Sequence, residues 1–202
     1  KMETENTQFM QEQYHILRIN RSIERLEKLG SSHRYPKGYI FDYREHSPDS
    51  IYYIKKGRIM AYEDTFNGEH RVYNIMRNGS LFLEEYVLFP KPCPILFETI
   101  TDSELLKINR CDLIRAFKSN IDIVLDILDS VCNKFCASME SQRIGAKQTA
   151  EWKLCRMLIS DFENFGKPYK NGMLLKERVS HQMLADILGM NRVTVSRKFK
   201  KL

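Results

Sequence analysis

A change of hydrophobic period near Arg110 constrains the fold of this 202-residue chain more than any other feature. Between His33 and Asn109, short runs rich in β-branched and aromatic residues alternate with glycine-containing turn signals. Gly57, Gly68 and Gly79 recur every 11 residues, which is the spacing of a strand followed by a tight turn. We therefore predict an antiparallel β-roll over this segment and helices after it.

Helical periods are predicted on both sides of the β-rich segment. Apolar residues recur at helical spacing from Thr7 to Leu29, and Gly30-Ser31-Ser32 is expected to end that helix. After Arg110, an apolar row steps by 3, 4, 3 and 4 through Ile121, Val124, Leu128, Val131 and Phe135. Ile123 and Ile127 form a second row beside it. A helix with two apolar faces needs two partners. We predict the β-roll on one side and a second copy of the chain on the other, with packing inside one chain as the alternative.

The C-terminal part reads as a helix-turn-helix. After a helix "AEWKLCRMLISDF", a turn "KPYKNG" and a strand "MLLKERV", the sequence continues as "SHQMLADILGMNRVTVSRKFKKL". Ser180 suits the N-cap of a helix running from Gln182 to Leu188, and Gly189 permits the left-handed residue that ends it. Ala185 is small enough for a second helix to approach closely. That second helix is expected from Asn191 onward, with one buried row: Val195, Phe199 and Leu202.

Charge is concentrated in the same part of the chain. Residues 143–202 carry 13 Lys/Arg against 5 Asp/Glu, whereas the rest carries 19 against 21. A basic segment favours a polyanionic partner, although a solvated helical hairpin is the alternative. Arginine can bond guanine in a major groove, free N–H groups at a helix start suit phosphates, and Lys198 and Lys201 add non-specific attraction. The predicted contacts with double-stranded DNA are Ser180, His181, Gln182, Asn191, Arg192, Val193, Thr194, Ser196, Arg197 and Lys200.

Several classes of protein are disfavoured by the sequence. No apolar run approaches the roughly 18 residues of a membrane span, and the polar N-terminal segment is not a signal peptide. Five scattered cysteines form no disulfide framework, which predicts a cytoplasmic protein. Cys132 and Cys136 are spaced to share a metal or a redox event, but such residues are more often ordinary helix-face positions. No His-x-His of a cupin-type enzyme occurs, so we expect no catalytic residues and no metal site.

Three stretches resemble the cyclic-AMP receptor protein/FNR family of bacterial transcription regulators: "YPKGYIFDYREHSPDSIYYIKKGRIMAY", "RNGSLFLEEYVLF" and "VSHQMLADILGMNRVTVSRKFKKL". The resemblance implies an α+β fold with an N-terminal antiparallel β-roll (a cyclic-nucleotide-binding-like jelly roll), a long dimerisation helix and a C-terminal winged helix-turn-helix. The implied domains are a sensory domain at 1–118, the dimerisation helix and hinge at 119–146, and the DNA-binding domain at 147–202. Since the sequence stops at Leu202, the wing after the recognition helix is expected to be missing.

The resemblance also implies a homodimer that sets two recognition helices, residues 191–202 here, into successive major grooves of palindromic DNA. Arg192, Ser196 and Arg197 match family positions that contact bases or phosphates, and Thr194 fits a conformational or phosphate role. Val193 departs from the glutamate that many members use to bond cytosine, although an apolar residue could meet a thymine methyl. RNA polymerase is an expected partner if the protein activates transcription.

The effector region is less similar to the family. Nucleotide-binding members use Gly-Glu and then Arg-Ser or Arg-Thr to hold the ribose and cyclic phosphate. Here Leu83 stands in place of the glycine, and "FPKPCPIL" offers no arginine. A buried phosphate without a cation is unfavourable, so cyclic AMP is not expected, no cofactor is predicted and the effector is an unknown small molecule. The alternative is a small-ligand sensory module that acts through a protein partner. The candidate pocket residues are Leu83, Glu84, Glu85 and Cys93.

Overall fold

The computed structural model describes residues 23–64, 70–145, 149–175 and 180–201. The chain divides into two compact units, one made of His15–Glu63 with Tyr73–Cys136 and the other containing Ala137–Leu202. None of the helices in these described ranges combines the length and the hydropathy needed to cross a membrane.

Two four-stranded sheets form the β-roll that the sequence predicts. The strands are β1 Ser31–Tyr35, β2 Ile40–Phe41, β3 Ser50–Lys56, β4 Arg58–Asp64, β5 His70–Arg77, β6 Leu81–Phe82, β7 Leu96–Thr99 and β8 Ser103–Asn109. The sheet orders are β1-β8-β3-β6 and β2-β7-β4-β5, and the pairs β1–β8, β3–β8 and β4–β7 are antiparallel.

Strand β3 is buried on both faces, which explains its unbroken apolar run. Side chains alternate across a strand, so Ile51 and Tyr53 join a core that includes helical residues. Tyr52 and Ile54 point the other way, into the core between the two sheets, where Phe41 also packs. The roll therefore has one core between its sheets and a second core between one sheet and its helices.

The glycine turns of the roll are confirmed where the structure describes them. Gly57 has a φ of 114° and Gly79 a φ of 90°, both in the region that favours glycine. At Gly57 an added Cβ would also lie 2.2 Å from Ser103 Oγ. Gly68 lies outside the described residues.

Four helices of the described ranges accompany the roll: α1 Ile23–Glu27, α2 Glu84–Leu88, α3 Arg110–Ser119 and α4 Ile121–Gly145. Extended backbone at Asn120 separates α3 from α4. Ile123 and Ile127 of α4 pack in one core with Ile51 and Leu106 of the roll. The prediction that the β-roll covers one apolar side of this helix is therefore confirmed, and the side it covers is the second row.

The C-terminal unit is mainly helical, and the α+β class of the whole chain is confirmed. A single two-stranded antiparallel sheet stands among its described elements. These elements are α5 Ala150–Phe165, β9 Gly166–Tyr169, β10 Gly172–Leu175, α6 His181–Leu188 and α7 Arg192–Phe199.

Two local predictions were wrong. Ser31 and Ser32 do not end a helix but begin β1, whose polar side chains are mostly exposed and therefore carry no apolar pattern. The segment "KPYKNG" is not only a turn, because Gly166–Tyr169 forms a strand that the exposed Pro168 disguises. Of the predicted helix from Thr7 to Leu29, Ile23–Glu27 is helical and residues 7–22 lie outside the described ranges.

Candidate nucleic-acid interface

A small apolar core holds α5, α6 and α7 together. Ala185 is 1% exposed, which confirms that a small residue lies where a second helix approaches. Val195, with no exposed surface, anchors α7 from the other side, and the half-buried Phe199 packs beside it. Leu202, the third predicted member of the buried row, lies outside the described residues. The members of this core are Leu154, Met157, Leu184, Ala185, Leu188 and Val195.

Three local devices fix the two helix starts and the turn between them. Ser180 Oγ accepts the N–H of Met183 at 3.1 Å, so the predicted N-cap of α6 is confirmed. Gly189 adopts φ 60° and ψ 43°, the left-handed conformation that ends α6. Asn191 Oδ1 then accepts the N–H of Val193 at 2.8 Å and caps α7. The helices begin at His181 and Arg192, each one residue from the predicted start.

The outer face of α7 presents the predicted DNA-contacting side chains at the surface. Arg192, Arg197 and Lys200 are exposed, and Val193 is 72% exposed although it is apolar. Thr194 and Ser196 are half-buried at the edges of this face. The arrangement combines two guanidinium groups with one apolar side chain, which suits the mixed polar and methyl edges of a major groove.

The predicted phosphate contacts at the start of α6 differ from one another. Nδ1 of His181 lies 2.9 Å from Ser196 Oγ, and the His181 ring stacks on Phe199 with centroids 4.8 Å apart. Gln182 instead donates to Asp186 Oδ1 at 2.7 Å, within its own helix. His181 is thus bonded to α7, whereas Gln182 is bonded within α6.

Lys198 connects two helices of this unit. Its Nζ lies 2.5 Å from Glu151 Oε2, which ties α7 to α5. The hydrogen bond from Lys198 and its charge lower the pKa of Glu151. Glu151 was missed by sequence reasoning, because its partner is 47 residues away in the chain.

The predicted effector residues lie in the β-roll unit and point in different directions. Leu83, with a φ of 71°, and Cys93 are both buried in the core between the sheets. The Cys93 thiol donates to the carbonyl of Ile95 at 3.4 Å, and burial raises its pKa. Glu84 is buried too, but its carboxylate meets α4 instead.

Glu84 and Glu85 share one cation from α4. Lys134 Nζ lies 2.7 Å from Glu84 Oε1 and 3.2 Å from Glu85 Oε2, and the Ser130 hydroxyl donates to Glu84 Oε1 at 2.5 Å. Within the described residues, Glu84 Oε2 is buried without a hydrogen-bond partner. Ser130 and Lys134 were missed by sequence reasoning. The sequence feature that could have identified them is their helical spacing from Ile127, which places Ser130 and Lys134 on the buried side of α4.

The pKa values in this cluster follow from burial and from the shared charge. Burial raises the pKa of Glu84 more than Lys134 lowers it. Burial also acts to raise the pKa of Glu85, but the Lys134 charge and hydrogen bonds outweigh it, so that pKa is lowered. Burial acts to lower the pKa of Lys134, yet the two carboxylates outweigh it and the pKa is raised.

A cavity of about 400 Å³ opens elsewhere in the β-roll unit, and none of the four predicted effector residues lines it. Two of its cations are already paired: Arg25 with Asp122 at 2.7 Å, and Arg115 with Asp112 at 2.9 Å. Over the described ranges, no group of three or more His, Cys, Asp or Glu side chains is arranged to hold a metal ion.

The predicted dimer residues lie on the outer face of α4. Ile121, Leu128 and Phe135 are 67%, 50% and 64% exposed, whereas Val124 and Val131 are half-buried. The exposed side chains along this face recur at steps of 4, 3, 4, 3 and 4, so they coincide only in part with the predicted row. We name this exposed set the outer row: Ile121, Leu125, Leu128, Cys132, Phe135 and Met139.

Comparison with known proteins agrees with this architecture. The family model "Cyclic nucleotide-binding domain" matches residues 32–120, and the model "Bacterial regulatory proteins, crp family" matches residues 178–202. The chain belongs to the cyclic-AMP receptor protein/FNR family. A similar sequence is the global nitrogen regulator of Nostoc sp. strain PCC 7120, 22% identical over 151 residues, which are 74% of this chain and 68% of that protein.

Solved structures share the CRP/FNR fold. The c-di-GMP responsive global regulator CLP of Xanthomonas campestris superposes with a TM-score of 0.72 at 20% identity, covering 89% of each chain. A CRP/FNR-family transcriptional regulator from Thermus thermophilus gives a TM-score of 0.70 at 18% identity, covering 85% of each chain. At these identities the similarity establishes the fold.

Proposed function

We propose that this protein is a homodimeric, sequence-specific DNA-binding transcription regulator, and not an enzyme, that inserts α7 into the major groove of palindromic DNA in the cytoplasm. The observation that carries the proposal is the division of α7 into two faces. Val195 is completely buried, while Arg192, Val193 and Arg197 are exposed on a helix whose start is capped. Such a helix presents a fixed set of side chains to a partner.

The exposed side chains of α7 account for base recognition. Arg192 and Arg197 can each donate two hydrogen bonds to guanine O6 and N7, and Val193 can pack on a thymine methyl. Ser180 and Gln182, at the start of α6, lie where backbone N–H groups suit a phosphate. Phosphate contacts set the register of the protein and α7 reads the sequence.

The outer row of α4 supports a homodimer. Half-exposed leucine, phenylalanine and methionine side chains in a 4, 3, 4, 3 step form the apolar seam of a two-stranded coiled coil. A second copy of α4 is the partner that such a seam fits, and it would place two copies of α7 on one DNA site. RNA polymerase becomes a further partner if the regulator activates transcription.

The effector, in this proposal, is not a cyclic nucleotide and no cofactor is bound. The segment around Cys93 lacks the arginine that would neutralise a cyclic phosphate. Glu84, the family's ribose-binding residue by resemblance, is already bonded to Ser130 and Lys134. Two carboxylates on one lysine also leave this region unfavourable for another anion.

The proposal is tested by selecting binders from a random DNA pool and measuring affinity by fluorescence anisotropy. A palindrome with half-sites about one helical turn apart is expected. Arg192→Ala and Arg197→Ala should each weaken that site by about 1–3 kcal/mol and weaken random DNA much less. Arg115→Ala is the matched control, because it removes an exposed guanidinium from the other unit.

Two other outcomes would contradict the proposal. Sequence-blind binding that persists after effector screening would leave only a basic helical hairpin. Absence of DNA binding together with micromolar affinity for a cyclic nucleotide would instead support a sensory module acting through a protein partner.

A further inference from the structure

The His181 ring is held in one orientation by two contacts with α7. Nδ1 lies 2.9 Å from Ser196 Oγ, and the ring stacks on Phe199 with an interplanar angle of 21°. Phe199 is itself packed on the core of this unit, so the platform under the imidazole is fixed. The bond between His181 and Ser196 therefore joins a residue at the start of α6 to one on the DNA-facing edge of α7.

The bond to His181 occupies either the hydrogen or one lone pair of the Ser196 hydroxyl. A hydroxyl has one hydrogen to donate and two lone pairs to accept, and a neutral imidazole has one donor and one acceptor nitrogen. If Nδ1 accepts, the hydroxyl hydrogen is engaged and only lone pairs remain for a base. If Nδ1 donates, the hydroxyl hydrogen stays available. The histidine tautomer thus decides what the serine offers to DNA.

We infer that His181 is a positioning residue that makes Ser196 a hydrogen-bond acceptor and so helps to set base preference; the inference rests on the proposed function. His181 is exposed at the first position of α6, where the proposed phosphate contacts lie. A DNA phosphate only accepts hydrogen bonds, so the Nε2 atom that faces one must carry the hydrogen. Nδ1 of the neutral ring then accepts from Ser196.

The consequence for recognition is specific. With its hydrogen directed at His181, Ser196 Oγ can accept from the amino groups of adenine N6 or cytosine N4. It cannot donate to guanine O6 or thymine O4. His181 therefore favours amino-bearing over keto-bearing bases at the base pair that Ser196 meets, without touching that base itself.

Competition binding on variants of the selected site tests this inference. Ser196→Ala first identifies the base whose preference depends on the hydroxyl. At that base we expect the wild type to favour adenine or cytosine over guanine or thymine by about 3- to 10-fold. His181→Ala should reduce this ratio towards 1. Combining His181→Ala with Ser196→Ala should lower the ratio no further than either single substitution does.

Two further variants separate positioning from simpler roles. His181→Phe keeps a stacked ring on Phe199 but lacks the nitrogen, so it preserves the fold and should lose the same preference. Gln182→Ala is the matched control, because Gln182 is an exposed neighbour bonded to Asp186 of its own helix. It should weaken all sites by a similar factor and leave the base ratio unchanged.

The inference is overturned if His181→Ala and His181→Phe weaken all sites equally while the base ratio stays at its wild-type value. His181 would then be a phosphate contact only. A wild-type preference for keto-bearing bases at the Ser196 position would also overturn it. If the wild type selects no site at all, the proposed function fails first, which is a different result.

Discussion

Lys134 is a cation held between two carboxylates on the inner side of α4. Its side chain is 18% exposed, and Glu84 is completely buried. A buried ion pair adds little net stability compared with apolar residues, but removal of one partner leaves the other charge buried and alone. The cluster therefore makes the protein sensitive to single substitutions at these positions.

At a pH above the raised pKa of Glu84, where the carboxylate is charged, Lys134→Met should lower the free energy of unfolding by about 2–4 kcal/mol, because Glu84 loses its cation. Urea denaturation measures this. Glu84→Gln in the Lys134→Met background should recover much of the loss, and Glu85→Gln, at a 41% exposed side chain, should cost less. Equal losses for all three variants would show that packing, and not charge, dominates.

Glu84 also gives stability a defined dependence on pH. Its pKa is raised above the ordinary value of 4.5, so the folded state holds the proton more tightly than the unfolded state. Stability then falls as pH rises from about 4.5 towards the raised pKa. The Glu85 contribution is lost only as pH falls below 4.5, and that of Lys134 only as pH rises above 10.5.

The wild type should therefore lose stability relative to Glu84→Gln as pH increases from about 4.5 towards the raised pKa of Glu84. Urea midpoints of the two proteins at matched pH values measure the difference. A difference that stays constant over this range would show that Glu84 is ionised throughout.

At the scale of elements, the turn between α6 and α7 depends on backbone conformation at one residue. Gly189 adopts φ 60°, and an added Cβ would meet no atom within 4 Å. The cost of a side chain there is thus backbone strain alone. Gly57 differs, because its added Cβ would also collide with Ser103.

Gly189→Ala should destabilise the C-terminal unit by about 1 kcal/mol, and Gly189→Asn by less, because asparagine tolerates the left-handed region. Trp152 of α5, the single tryptophan of the chain, reports on the unfolding of this unit by fluorescence. Equal losses for alanine and asparagine would mean that the space around the turn, and not φ, sets the cost.

For the whole molecule, α4 carries apolar residues on two faces, one packed on the β-roll and one exposed. Ile123 and Ile127 are buried in the β-roll core, while the outer row remains exposed on a chain of 23.9 kDa. An apolar row of this length is the surface that subunit association removes from water. Oligomeric state is therefore the property that substitutions in the outer row should change.

Leu128→Glu should convert the proposed dimer, of twice 23.9 kDa, into a monomer, as measured by light scattering after size-exclusion chromatography. Charge at the centre of an apolar seam is expensive to bury. Asp129→Lys is the control, because Asp129 is an exposed neighbour on the same helix and outside the row. A Leu128→Glu protein that stays dimeric would place the interface elsewhere.

The sequence predicts those parts of the molecule whose signal is local. The apolar run of β3, the cap at Ser180 and the left-handed glycine are all decided within a few residues. Strand β1 escapes such reasoning because its exposed residues follow no apolar pattern. The pairs Glu84–Lys134 and His181–Ser196 escape it because 50 and 15 residues separate their members, and only the folded chain brings them together.

The double burial of β3 has a consequence for the dynamics of the backbone. A strand covered on both faces, with β8 on one side and β6 on the other, has no route for solvent short of opening the roll. Its amide hydrogens should therefore exchange with deuterium among the slowest in the chain, at the rate of global unfolding. Strand β1, polar and exposed on the far side of β8, should exchange much earlier and open without disturbing the centre.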